Sequence, residues 1–402
     1  MTGNTWKALV ALLVFTMGTS IITPLMALYQ EHFDLSNGVL TLLFVTYTAT
    51  VVPTMLLAGN LSDSLGRKRL MIPGMISISL ASIVFSLADS VAMLFVGRVF
   101  QGLAIGMFLG VGTAFVVDQA RSDSKARAAM AGGIAFRLGF GLGPLMAGII
   151  AQYGSDSLHR PFEVHLVLMV VGFSMVLWAP ETVARRPLRF ALRVGVPHGQ
   201  MRGFAGFLAP AAFVMSFMEG TLLSVVPLYL YQTLGEKNVA IAGLVGFLVL
   251  GLGAVTPFVI ERIEPRKAVM LGVGTSSLLT LLVVAASGVG TAALVVLAAA
   301  SIGFFNGFIL QGGTVICGTV VPLHERGKLL SALYMCAYAG TTPVVVLGFL
   351  SGAVGLTVAL AVFSGVAIAI ATWVLVVGRR LFPEVVPYVE TVHAPRAEAA
   401  RA

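Results

Sequence analysis

The sequence predicts an all-α polytopic membrane protein, with twelve transmembrane helices in two pseudo-symmetric six-helix halves and both termini in the cytoplasm. Three observations lead there: the composition, the length of the apolar runs and the placement of the cations. Of 402 residues, 58% are hydrophobic and 10% are charged. The mean hydropathy is +0.97, far above that of water-soluble domains. Twelve apolar stretches are long enough to cross a hydrocarbon core of about 30 Å as helices. They fall at about 7–29, 39–60, 68–88, 91–118, 128–152, 163–180, 204–232, 239–260, 268–287, 291–320, 329–351 and 355–377.

The first run is too long for a signal peptide and no small-residue cleavage site follows it, so it reads as a helix that stays. Pro24, Pro144, Pro227 and Pro343 mark expected bends in the first, fifth, seventh and eleventh helices. In the fourth helix Gly102, Gly106, Gly110 and Gly112 read as close helix contacts. Cys317 and Cys336 both lie inside spans, so neither a disulfide framework nor a metal site is expected. With the N-terminus in the cytoplasm, the cytoplasmic segments hold 21 of the lysines and arginines, whereas the external loops hold only Arg160 and Lys237. That asymmetry fixes the expected orientation. It also accounts for the pI of 9.8 without a nucleic acid partner.

The chain repeats itself. "GTSIITPLMALYQ" (Gly18–Gln30) and "GTLLSVVPLYLYQ" (Gly220–Gln232) share their Gly-Thr and Tyr-Gln pairs at an offset of 202, with the proline slipped by one. Fainter echoes link "VFQGLAIG" (Val99–Gly106) to "FFNGFILQ" (Phe304–Gln311), and "GLGPLMAG" (Gly141–Gly148) to "AGTTPVVV" (Ala339–Val346). The expected organisation is an N-terminal six-helix bundle over 1–181, a cytoplasmic linker over 182–203, a C-terminal bundle over 204–380 and a cytoplasmic tail over 381–402. The two repeats are parallel, because six is even.

Charge is concentrated in "AGNLSDSLGRKRL" (Ala58–Leu70), between the second and third helices. Gly59 and Gly66 permit tight backbone geometry. Asp63 is suited to accept from a helix N-terminus, and Arg67 to bridge to a carboxylate at the end of another helix. The spacing G-x-L-x-D-x-x-G-R-K-R is too particular for a loop that merely carries positive charge. Two further patterns accompany it: Leu94, Arg98, Gln101 and Gly102 in the fourth helix, and Gly139, Gly143, Pro144 and Gly148 in the fifth.

These three ordered motifs resemble those of the major facilitator superfamily, in particular its twelve-helix drug:proton antiporters. Ser64 stands where a basic residue is usual, Ala147 where a glycine is usual, and "ERIEPRK" (Glu261–Lys267) is a degenerate second copy of the loop motif. The resemblance implies a cytoplasmic gate of Gly59, Asp63, Gly66, Arg67 and Asp118. In it Asp63 faces the region of Gly327–Ser331, Arg67 meets Asp118, and the contacts latch the two halves together. It also implies an antiporter motif at Gly139, Gly143, Pro144 and Gly148, and a role for Arg98 in proton movement.

Of 17 acids, Glu219 alone lies well within a span. A carboxylate there is costly when ionised and unpaired, so Glu219 is a candidate for proton coupling or for pairing with a cationic substrate. Arg98 and Arg137 are the two cations inside spans. Arg137 fits either of two roles, steering anionic groups or pairing with Glu219 across the cavity. Thr19, Tyr29, Phe44, Tyr47, Gln101, Phe136, Met215, Asn306, Gln311, Tyr334 and Tyr338 complete the candidate cavity lining. Such aromatic and methionine side chains suit amphipathic organic molecules.

The expected function is export of small amphipathic compounds in exchange for protons, by a protein of the cell membrane acting as a monomer without cofactor or metal. The alternatives are a dedicated exporter of a metabolite or metallophore, proton-coupled uptake of a sugar or organic acid, and a non-transporting scaffold or sensor. No nucleophile–base pair suggests an enzyme.

Overall fold

A computed structural model of the protein describes residues 2–183, 194–322 and 325–381. Part of the expected linker (184–193) and nearly all of the expected tail (382–402) lie outside the described residues. So do the details of residues 59, 60 and 62–64 beyond their helical backbone.

Among the described residues, eleven helices are long and apolar enough to cross a membrane. The first apolar run forms a broken element, α1, made of Gly3–Met17 and Met26–Phe33 with a turn between them. The eleven are α2 (Asn37–Leu65), α3 (Arg67–Ser86), α4 (Val91–Asp118), α5 (Ser122–Tyr153), α6 (Arg160–Trp178), α7 (Met201–Gln232), α8 (Val239–Ile260), α9 (Pro265–Val289), α10 (Ala292–Thr319), α11 (Arg326–Val354) and α12 (Leu356–Val376). Val167, Trp178 and Val346 are more than two-thirds exposed on the outer surface. A bilayer makes that exposure favourable where water would oppose it.

The expected bends divide into two kinds. Pro24, Pro227 and Pro343 sit at interruptions of α1, α7 and α11, where a missing N–H has no helical partner to lose. Pro144 differs, lying inside the unbroken helix Lys125–Tyr153. Two sequence readings are corrected. Gly110 meets nothing within 4 Å and instead breaks α4 at a φ of 79°, so it is a backbone hinge and not a helix contact. Gly102, Gly106 and Gly112 do make close contacts, the first two against the backbone of α2. The charged stretch after Ala58 is no loop either. Helix continues to Leu65 and restarts at Arg67, leaving Gly66 alone, at φ 106°, to turn the chain. That conformation is open essentially to glycine only.

The first six helices meet the last six along α5 with α8 and α2 with α11. At the α5–α8 crossing a Cβ on Gly148 would strike Gly243 and the Val239 carbonyl, and one on Gly141 would strike Gly251. The fifth-helix motif therefore faces two ways. Gly139 and Gly143 seat against Thr16 and the Met17 carbonyl of α1, while Pro144 and Gly148 seat against α8. Polar bonds join the same two sets at the end away from the α2–α3 connection. Gln232 donates to Gln30, the residue matched to it by the internal repeat. Tyr231 donates to Glu31 (2.7 Å), Asn37 to Ser351 (3.0 Å) and Val239 N to Gln152 (2.7 Å). Thr341 pairs with Thr48 at 3.0 Å deeper in. At the opposite end the helices part around a cavity of about 540 Å³.

Because Gly148 abuts backbone that cannot rotate away, Gly148→Val should lower the thermal stability of the purified protein by about 1–3 kcal/mol. Gly365→Ala, at a position with nothing within 4 Å, is the comparison. A Val variant as stable as that control would contradict the crossing described.

Candidate functional site

Three groups of polar residues stand out against the apolar background. The first surrounds the α2–α3 turn. Four N–H groups at the start of any helix lack a helical partner. At α3 the Glu181 carboxylate, just beyond α6, accepts from the N–H of Arg67 (3.2 Å) and of Lys68 (3.0 Å). Lys68 Nζ returns the contact, donating to the carbonyls of Leu177 (3.1 Å) and Ala179 (2.9 Å) at the end of α6. Charges of opposite sign thus satisfy opposite helix ends. Arg67 Nε donates to Asp118 Oδ2 at 3.2 Å, at the end of α4. Gln119 Nε2 bonds the Pro180 carbonyl at 2.7 Å, and Thr2 and Thr5 bond the Gln119 carbonyl from α1.

The expected Arg67–Asp118 pair is therefore present, but it does not span the two halves. Both partners, and Glu181, belong to the first six helices, so the pair binds α3 to α4 within that set. The Asp63 and Gly59 details lie outside the described residues. In the segment that Asp63 is expected to face, Lys328 is exposed and Gly327 has nothing within 4 Å. Glu181 escaped the sequence reading. Its signal was an acid directly after a helix-ending proline, "APET".

The second group centres on Arg98, which is buried to 1% exposure. Its Nη1 donates to Gln101 Oε1 at 3.1 Å, and Gln101 Nε2 donates to the Gly18 carbonyl at 2.8 Å, in the break of α1. The guanidinium lies 5.6 Å from the Phe44 ring centre and 5.7 Å from that of Tyr47. Flanking rings stabilise a desolvated cation through their π faces. His165, also missed from sequence, supports the same break. It meets Ser82 Oγ at 2.8 Å and the Val14 carbonyl at 3.2 Å, the latter freed because Gly18 N turns to Phe15 and Thr16 instead.

The third group lies at the cavity wall and behind it. Arg137 and Gln311 line it together with Arg127, Pro257 and Glu261. Glu219, half-buried on α7, faces Arg137 of α5 and Asn306 of α10. Tyr334 of α11 also lies within electrostatic range of Arg137. Asn306 Nδ2 reaches the Met215 carbonyl at 3.5 Å.

The remaining candidates are more scattered. Thr19 bonds its own helix at the Thr16 carbonyl (2.7 Å), and buried Tyr29 reaches Leu158 (3.4 Å) at the end away from the cavity. Phe136 packs on Phe140, with ring centres 5.0 Å apart. Tyr338 is half-buried beside Tyr47.

Comparison with known proteins places this geometry. The sequence matches the profile described as Major Facilitator Superfamily over residues 8–344. It is 26% identical over 289 residues to the class B tetracycline resistance protein of Escherichia coli, covering 68% of this chain and 70% of that one. It is 27% identical over 160 residues to the quinolone resistance protein NorA of Staphylococcus aureus, covering 40% of each. With multidrug resistance protein 2 of Bacillus subtilis it shares 27% over 146 residues, 36% of each. The chain thus aligns with less than half the length of the last two. In fold it is similar to crystal structures of the peptide transporter POT, with TM-score 0.77, 13% identity and 94% of both chains covered. It is also similar to a D-xylose-proton symporter, with TM-score 0.74, 14% identity, and 94% and 97% covered.

Asp118→Asn removes a partly buried pair worth about 1 kcal/mol or less. It should lower thermal stability slightly and leave spin-label distances between the first and last six helices unchanged. A shifted distance would show that the pair acts between the sets after all.

Proposed function

The chain belongs to the Major Facilitator Superfamily, and from that premise we propose that it is a proton-coupled antiporter exporting small amphipathic organic compounds by alternating access. It is a multi-pass transporter of the cell membrane. The observation that carries the finer reading is the cavity. It is apolar over much of its wall, large enough for a drug-sized molecule, and meets its charges at Arg137 near the bilayer midplane and at Arg127 and Glu261 at the mouth. The few polar side chains in its lining, Arg127, Arg137, Glu261 and Gln311, favour an amphipathic compound over a sugar or peptide. The resistance proteins named above support export.

In this reading the broken α1 is the twelfth span, both termini are cytoplasmic, and residues 1–181 and 204–380 form two bundles that rock about the cavity. The described conformation then opens inward, with the Gln30–Gln232, Glu31–Tyr231 and Asn37–Ser351 bonds closing the outer end. Orientation is tested by replacing Cys317 and Cys336 and placing single cysteines. Lys237→Cys should label from outside whole cells with an impermeant maleimide, whereas Arg127→Cys should not. The reverse pattern would invert the topology.

Glu219 is the proposed proton site. It exchanges partners and hydration between the two states, so its affinity for a proton differs between them, and a ligand shifts an equilibrium only by such a difference. Glu219→Gln should abolish pH-gradient-driven transport in liposomes, with tetracycline as the first probe, and retain binding of neutral compounds. Binding of a cationic compound should weaken as well. Full gradient-driven transport by the variant would remove Glu219 from the coupling step.

A further inference from the structure

We propose that Arg137 is the positioning residue that converts the ionisation of Glu219 into movement of α5 against α8. The proposal rests on the proton-coupled reading above and names the part that transmits it.

The argument begins with where Arg137 stands. The backbone contact of α5 with α8 runs from Gly148 and Gly243 to Gly141 and Gly251. One helical turn further along α5 comes Arg137, where the cavity between the two helices begins, lined by Arg137 on α5 and Ala254 on α8. Arg137 thus occupies the apex of the cleft. Its guanidinium crosses to α8 and lies over Gly253, where a Cβ would collide with Nη1. Gly253 belongs to the tightened turn Leu252–Val255, a local departure from α-helix. The cation is carried by the first six helices, but its seat and the acid it faces are carried by the last six.

The charged and titratable groups around the pair are few. Arg137 is faced by Glu219 of α7 and Tyr334 of α11. Glu219 is faced by Arg137 and Asn306, with Tyr47 of α2 and Tyr338 of α11 also within electrostatic range. Arg127 and Glu261 lie lower, toward the mouth, and Arg127 is exposed. None of the tyrosines ionises near neutral pH, so the variable charge at the apex is that of Glu219.

The sign of the effect follows. Ionised Glu219 attracts Arg137 through a medium that screens poorly, drawing α5 toward α7 and α8 and closing the cleft at its apex. A proton on Glu219 cancels that attraction and lets the cleft stay open. Protonated carriers therefore favour the state with the cavity open at this end, and ionised carriers favour its closure. That ordering delivers the proton to the side on which the cavity opens.

The test uses the full chain in lipid nanodiscs, with Cys317 and Cys336 replaced and spin labels at cysteines introduced for Ala126 and Ile263, on opposite lips of the cavity. Distance distributions are recorded from pH 5 to 9. In the parent protein the ratio of open to closed populations should fall about tenfold as pH rises, a typical coupling. Arg137→Gln should reduce that response to less than twofold, as should Glu219→Gln, and the double variant should lose no more than either. Arg137→Lys keeps the charge and should keep most of the response. Gly253→Ala keeps both charges but pushes the guanidinium off its seat, and should blunt the response severalfold.

A full pH response in Arg137→Gln or Gly253→Ala, with the response lost in Glu219→Gln, would overturn the role of Arg137 and leave the proton site standing. A full response in Glu219→Gln would overturn the proton site itself. If Arg137→Gln does not fold, the Gly253→Ala variant decides alone.

Discussion

Where α5 crosses α8, Gly148 lies against Gly243 and Gly141 against Gly251 with no side chain between them. Two helices at that separation are held fast, because any closer approach is blocked by backbone and any wider one forfeits dispersion contacts along the whole crossing. The arrangement of α2 with α11 repeats it more loosely, Gly38 lying under the Phe349 ring and Gly348 against Thr41. Both crossings sit toward one end of the molecule. The cavity at the other end is their geometric consequence: helices joined at one end and splayed from there must leave a wedge-shaped space.

Around that crossing the few polar groups sort by what they must satisfy. At the α2–α3 turn, Glu181 and Lys68 neutralise the exposed ends of α3 and α6, and Arg67 ties α3 to α4. These contacts stiffen one set of helices and leave the cleft free. Arg98, with nowhere to reach water, is held between two aromatic rings and a glutamine that also pins the break of α1. Glu219 and Arg137 stand apart from such fixed pairings, facing each other from different helix sets across the start of the cleft. The first two groups are satisfied within one set of helices, whereas Glu219 and Arg137 come from different sets.

Much of this was legible in the residues. The length of the apolar runs located eleven of the twelve expected spans, the first run forming a broken element instead, since burial of backbone polar groups in lipid leaves helix as the one local solution for such a run. The repeat at an offset of 202 paired Gln30 with Gln232, and the structure brings those two side chains together. The scarcity of charge inside spans singled out Glu219, Arg98 and Arg137 before any contact was known. Less legible were the partners. Glu181 does for α3 what the local sequence assigned to Asp63, because a helix end can be capped by any acid the fold brings near, and nearness across 114 positions leaves no trace in spacing. The Arg67–Asp118 pair was foreseen, but its place within a single set of helices was not.

The sequence by itself determined that the chain lives in a membrane, how many apolar segments it has, and which rare charged residues stand among them. These follow from transfer free energies that each segment experiences almost independently of the others. Only the tertiary structure decided which face of the fifth-helix motif meets α1 and which meets α8, at which end the two helix sets close, and that Arg137 rests over Gly253 at the apex of the cleft. Those depend on how helices distant in the chain cross one another, and crossing is set by the fit of many small surfaces at once, a property that no single stretch of residues carries.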